Sequence, residues 1–377
     1  MKEAILNNFF NYEFIYIFLF CSVLCILVSI FIKQQIIRKI SILFFSIFFI
    51  FFLFEYYLSF SKNNFFDYCN IQKKHKLYIP NKENKQIVKA CYLQDKKLKT
   101  IEEHYGDMSF IDRNKNFYLD NYDIVFDGEY TVYGNSYGCF RYTLCDENSK
   151  EAYIFLGCSF TYGDGCNDNE TVSYYFSKKF DFKKNVINLG LPGRSSNTAL
   201  NILNNDVFAK LLVPQTDIKY FFYSVIEDQI HRNFSMIASQ DYYLYKGNKF
   251  SYVKAPFSKI RYMFIHSYIF QKIFYYRIEE HNYKYYEDYM IKSLKEMDKI
   301  VREKYKSKLV VLLWNNNYKE YSENFLKQIK DSKLDYIFLP DRLNAQDDMY
   351  KSTYDLHPRY KANEEIAEIL YNHINNL

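Results

Sequence analysis

Between residues 151 and 375 five short apolar runs alternate with helical patterns. The runs are AYIFLG (152–157), NVINLG (185–190), KYFFYS (219–224), KLVVLLW (308–314) and DYIFLP (335–340), and the helical stretches lie at about 168–180, 195–211, 284–306, 319–330 and 360–375. An apolar run bounded by polar residues suits a strand buried on both faces, and strand–helix alternation calls for crossover connections. The pattern predicts an open parallel sheet covered by helices on both faces. Ligands in such sheets bind beyond the carboxyl ends of the strands. Residues 241–282 interrupt the alternation and read as an insertion near that end.

Glycine points to the same region. The 377 residues contain 10 glycines, where average usage of about 7% would give roughly 26. Five of them, Gly157, Gly163, Gly165, Gly190 and Gly193, fall within one 37-residue window. That concentration implies special backbone angles or close backbone approach there.

Three segments carry the chemistry. After the first run the chain reads Gly157-Cys158-Ser159-Phe160-Thr161-Tyr162-Gly163-Asp164-Gly165. A serine between strand and helix presents its hydroxyl where backbone N–H groups converge. The segment is neither the Gly-x-Ser-x-Gly elbow, since Thr161 replaces the second glycine, nor a phosphate loop. Cys158 is the weaker nucleophile candidate, because adjacent side chains diverge at a strand end. Beyond the second run stand Gly190-Leu191-Pro192-Gly193-Arg194-Ser195-Ser196-Asn197, where a glycine N–H can face an oxyanion and Ser195 or Ser196 can cap a helix. Near the C-terminus comes Asp355-Leu356-His357-Pro358. An Asp two residues from a His can fix its tautomer, and Pro358 suits a helix start.

The N-terminal part is of another kind. Residues 14–32 hold nineteen positions without a charge, and 40–60 form a second apolar stretch with one acid. At about 1.5 Å per residue each nearly spans a hydrocarbon core of about 30 Å, so two transmembrane helices are expected. The linking KQQIIRK carries Lys33, Arg38 and Lys39 and no acid, which places it in the cytoplasm and the later residues on the periplasmic or extracellular side. Residues 1–60 then form an anchor. Residues 61–145 form a juxtamembrane stalk ending in a β-hairpin at 121–145, and 146–377 the main domain. Six cysteines (Cys69, Cys91, Cys139, Cys145, Cys158, Cys166) fall beyond the spans, and an oxidising compartment predicts disulfides. Neighbour pairing, 69–91, 139–145 and 158–166, is the expectation among fifteen possibilities. No cofactor or metal is expected, because no CxxC occurs and no His lies at ligand spacing from a cysteine pair. A net charge of +5 from 49 basic and 44 acidic residues, without a basic stripe, argues against nucleic acid as a partner.

Taken together, GCSFTYGDG, NLGLPG and DLHP resemble the three blocks of the SGNH (GDSL-like) hydrolase superfamily, and Gly138-Cys139-Phe140-Arg141 resembles the lead-in of its membrane-anchored bacterial members. The resemblance implies a flavodoxin-like α/β/α sandwich. It implies Ser159 as nucleophile, His357 as general base and Asp355 as its orienting acid. It further implies an oxyanion hole from the Gly193 and Ser159 backbone N–H groups. One block departs. Where the family has Gly-x-Asn-Asp, this chain has Ser224-Val225-Ile226-Glu227-Asp228-Gln229-Ile230-His231-Arg232-Asn233. An ionised Glu227 cannot donate to an oxyanion, which leaves Gln229, Asn197 or His231 as replacement donors, a hole of two backbone donors, or weak activity. His231 and Arg232 are alternatively contacts for an anionic substrate group, with Asp228 beside them.

The expectation is a serine esterase or O-acyl transferase of the bacterial inner membrane, acting on an acylated glycan or another ester. The alternatives are a catalytically weak scaffold of the same fold and a lipase or thioesterase.

Overall fold

The computed structural model describes residues 35, 39–46, 49–50, 80–95, 101–105, 122–134, 140–230, 232–233, 242–246, 249–253, 283–314, 321–340 and 357–376. The chain divides into two compact units, residues 1–73 with 256–281, and residues 74–255 with 282–377. Of the first unit, 39–46 and 49–50 are helical, with Ile40, Ile42, Leu43, Phe44 and Ile50 exposed. Among the described residues no helix is long and apolar enough to cross a membrane, and most of the two expected spans lies outside them.

The second unit opens with an antiparallel sheet of β1 (Lys85–Asp95), β2 (Ile101–Tyr105), β3 (Tyr122–Tyr133) and β4 (Phe140–Arg141), in the order β2-β1-β3-β4. β3 and β4 answer to the expected hairpin. β1 and β2 lie in the segment that the sequence presents as a stalk.

The main sheet contains β5 (Glu151–Gly157), β6 (Asn185–Gly190), β7 (Asp217–Val225), β10 (Lys308–Leu313) and β11 (Asp335–Phe338). Between β7 and β10 runs a separate antiparallel pair, β8 (Tyr242–Lys246) and β9 (Lys249–Val253), within the expected insertion. The main sheet is parallel throughout, in the order β11-β10-β7-β5-β6. Its helices are α1 (Ser159–Tyr162), α2 (Val172–Lys178), α3 (Ser196–Asn204), α4 (Tyr283–Tyr305), α5 (Glu323–Asp331) and α6 (Tyr360–Asn375).

Strand periodicity sorts these helices into layers. Tyr153, Phe155, Val186, Phe222, Val310 and Leu312 bury one face against α2 and α6, through Phe176, Ile366 and Leu370. The alternate residues Ile154, Leu156, Ile187, Leu189, Phe221 and Val311 bury the other face. There they meet Leu200 and Leu203 of α3, Phe325 and Ile329 of α5, and the α4 stripe Met290, Leu294, Met297 and Val301. That stripe has helical spacing. The result is a three-layered α/β/α arrangement. The chain runs from β5 outward to β6, then back across to β7, so the strand order reverses between β5 and β7. At such a switch point the two crossovers leave on opposite faces and open a crevice at the strands' carboxyl ends.

Cys145, Cys158 and Cys166 form no disulfide among the described residues, so the expected 158–166 pair is absent. Each is committed elsewhere. The Cys145 thiol lies 3.6 Å from the Val186 carbonyl, Cys158 is buried in the α2/α6 core, and the Cys166 thiol donates to the Pro358 carbonyl at 3.4 Å. Cys69 and Cys139 lie outside the described residues.

Candidate active site

Ser159 begins α1 directly after β5, with Cys158 at the N-cap in extended conformation. The helix is one turn long because Gly163 adopts φ +84°, a left-handed angle that favours glycine. Its N–H returns to the Ser159 carbonyl at 2.8 Å, and the Asp164 N–H shares that oxygen at 3.1 Å. Ser159 is buried, as is Cys158, whose thiol burial holds in the protonated form. A buried thiol with a raised pKa is a poor nucleophile.

The second block sits alongside. Gly190 ends β6 so close to the Ser159 turn that a Cβ there would lie 2.4 Å from the Tyr162 nitrogen. Asn188 fastens the approach: its Nδ2 donates to the Thr161 carbonyl at 2.8 Å and its Oδ1 accepts the Gly190 N–H at 3.0 Å. Gly193 follows with φ +69° in the turn before α3. Ser195 holds the N-cap position, but its hydroxyl makes no capping bond, while Ser196 donates to Asn233 at 2.8 Å.

After β7 the third-block residues are mostly occupied. Glu227 is buried, Gln229 accepts the Ile226 N–H at 3.2 Å, and Asp228 lies 3.6 Å from Arg232. Asn197 accepts from the Tyr289 hydroxyl at 2.6 Å. The Gln229 and Asn197 bonds both use the amide oxygens, and Gln229 Nε2 faces the Arg194 carbonyl at 3.5 Å. His231 and Asp355 lie outside the described residues.

His357 precedes Pro358 and α6, and its ring centre lies 5.3 Å from that of Phe160, the neighbour of Ser159. Phe160 in turn packs edge-on against Trp314 at the end of β10. The structure therefore brings the first and last motifs together at the sheet's carboxyl edge. It also places there a residue the sequence reading passed over. Asp164 Oδ2 lies 4.0 Å from His357 Nε2, with 10% and 13% of the two side chains exposed. In sequence Asp164 reads only as the polar member of a Gly-Asp-Gly turn.

The turn carrying Asp164 is held from several sides. Arg141, fully buried, donates to the carbonyls of Tyr162, Gly163 and Cys166. Its guanidinium lies 4.6 Å from the Tyr130 ring centre and 5.5 Å from that of Tyr162. Asp168 completes the knot, 3.4 Å from Arg141 Nε and accepting the Thr131 N–H through both oxygens at 3.0 and 2.9 Å. On the other side Asn363 of α6 donates to the Glu170 carbonyl at 2.9 Å and lies 3.6 Å from the Cys166 sulfur.

No family model and no curated protein matches the chain. Solved structures to which it is similar include one described as TesA, at 11% identity over 59% of this chain and 96% of that one, with a TM-score of 0.37. Another is the psychrotrophic esterase EstA from Pseudoalteromonas sp., at 13% identity over 60% and 97%, with a TM-score of 0.37. A third is AlinE4, an SGNH-hydrolase family esterase, at 10% identity over 61% and 97%, with a TM-score of 0.33. At these levels the chemistry of the site rests on its own residues.

Proposed function

We propose that the chain is a serine-dependent ester hydrolase or O-acyl transferase. The observation that carries the reading is the meeting of Ser159, at the head of α1 beside the β5/β7 switch point, with the His357 segment across Phe160. Ser159 attacks an ester carbonyl, His357 takes its proton, and the Ser159 and Gly193 N–H groups receive the charge on the former carbonyl oxygen. The imidazolium then protonates the departing alkoxide. Water or a sugar hydroxyl attacks the acyl-enzyme in a second step, with His357 again as base. Asp355 orients His357 in this scheme, by resemblance to the family block.

The apolar stretches 14–32 and 40–60 support anchoring in a bacterial inner membrane with the site on the outer side. An anchored site favours an acylated envelope glycan as substrate. Glu227 is what favours a second reading, a scaffold with little turnover, since a buried carboxylate stands where the family supplies an amide donor.

Treating the full chain in detergent with a fluorophosphonate probe, beside Ser159→Ala and His357→Ala, tests the proposal. Labelling of the parent that is lost in both variants is the expected result. A folded parent that does not label supports the scaffold.

A further inference from the structure

The buried carboxylate beside His357 has no part in the scheme above. Within that scheme, on which the inference rests, we infer that Asp164 is a second acidic partner of the general base, a positioning residue that compensates the imidazolium charge from the Nε2 side. Three observations carry it.

The first is distance and burial: Oδ2 stands 4.0 Å from Nε2 where both side chains are about nine-tenths covered. Screening by water is weak at such a site, so the carboxylate favours the charged imidazole. The second is that Asp164 and the nucleophile share one piece of backbone. The Asp164 N–H is bound to the Ser159 carbonyl at 3.1 Å, so the carboxylate and the serine move together. The third is the clamp. Arg141 holds three carbonyls of the turn from the antiparallel sheet, while the Cys166 thiol reaches the carbonyl of Pro358, the residue after His357. A turn fixed at both ends sets the separation of base and carboxylate and, with it, of base and serine.

Other charged or titratable groups border the base. They are the Cys166 thiol, which lies on the Asp164 turn and reaches the Pro358 carbonyl, and Arg359, two residues after the base. None of the described ones is an acid at the distance of Asp164.

In the acylation step the Ser159 proton passes to His357 as the Oγ–carbon bond forms and the carbonyl π pair moves onto oxygen. Asp164 stays ionised and takes no proton. Its effect is electrostatic. It raises the pKa of the base and stabilises the imidazolium that exists only once proton transfer has begun.

The test uses the full chain in detergent. In a Ser159→Ala background with 13C-labelled histidine, the His357 signal, assigned by its absence in His357→Gln, is titrated with and without Asp164→Asn. Removing the negative charge disfavours the imidazolium, so the His357 titration falls by about one pH unit or more. With Ser159 present, the acid limb of 4-nitrophenyl acetate turnover moves to lower pH by the same amount, and kcat falls while KM holds. A titration and acid limb unchanged in folded Asp164→Asn overturn the inference. If Asp164→Asn melts too early to titrate, Asp164→Glu replaces it. Keeping the charge, it must retain the parent's titration while losing kcat, and a lowered titration there overturns the inference. A parent that neither labels nor turns over, yet whose His357 titration falls with Asp164→Asn, refutes the esterase reading and leaves the pairing standing.

Discussion

Gly190 leaves no room for a single further carbon. An added methyl would meet the Tyr162 nitrogen at 2.4 Å and the Thr161 carbonyl carbon at 2.8 Å, and both are backbone atoms that cannot rotate away. Gly190→Ala is expected to cost about 1–3 kcal/mol, measured by chemical denaturation, and to weaken probe labelling because α1 must shift. Glu227 offers the opposite kind of test. Its carboxylate has no proton to give an oxyanion, so Glu227→Asn is expected to raise kcat for an activated ester, up to the about 10²–10³-fold that one donor is worth. An unchanged kcat would mean the hole is complete with backbone donors. The places of Ser159, Gly193 and His357 in the fold are legible in the sequence because short motifs encode a local need: a strand-to-helix turn, a glycine before a helix, a proline just ahead of a helix. Asp164 is not, because its role comes from a chain reversal: the neighbouring Cys166–Asn363 contact spans 197 residues.

Among elements, the informative case is the antiparallel sheet. Its largest contribution to the site is one side chain, since Arg141 sits on β4 while the carbonyls it satisfies belong to the end of α1 and the turn after it. Lysine cannot reproduce the planar fork. Arg141→Lys is expected to lower stability by about 1–3 kcal/mol for each carbonyl left unpaired, and to reduce labelling at temperatures where the protein is still folded. Equal losses of labelling and of folded protein would make Arg141 purely structural. β5, β6 and β10 could be read from sequence because they are buried on both faces, so their residues are mostly apolar. β1 could not. Its sequence KQIVKACYLQD mixes lysines with apolar residues, and Ile87 is exposed, so no apolar run announces it. The 158–166 disulfide was misjudged for a related reason: compartment and cysteine count say nothing about where a thiol points.

For the whole molecule, the buried acids of the second unit fix how it responds to alkali. Burial raises the Cys145 thiol from 9.0 to about 11 and the Tyr142 and Tyr153 phenols from 10.0 to about 12. A group whose pKa is higher folded than unfolded contributes stability that is complete below its unfolded value and lost as pH rises through the folded one. Melting temperature should therefore hold up to about pH 9 and fall between there and about pH 12, and Cys145→Ala should blunt the first part of the decline. A flat profile to pH 11 in thermal melts would show that these groups ionise without resistance. A different consequence follows from the clamp that joins the turn after α1 to α6. Its far half, Pro358 and Asn363, lies 192 and 197 residues further along the chain than Cys166. A ribosome delivers the serine, its turn and the antiparallel sheet long before it delivers the residues that close the site. The nascent chain therefore carries the Ser159 turn without its α6 partner until residues 358–363 have been made.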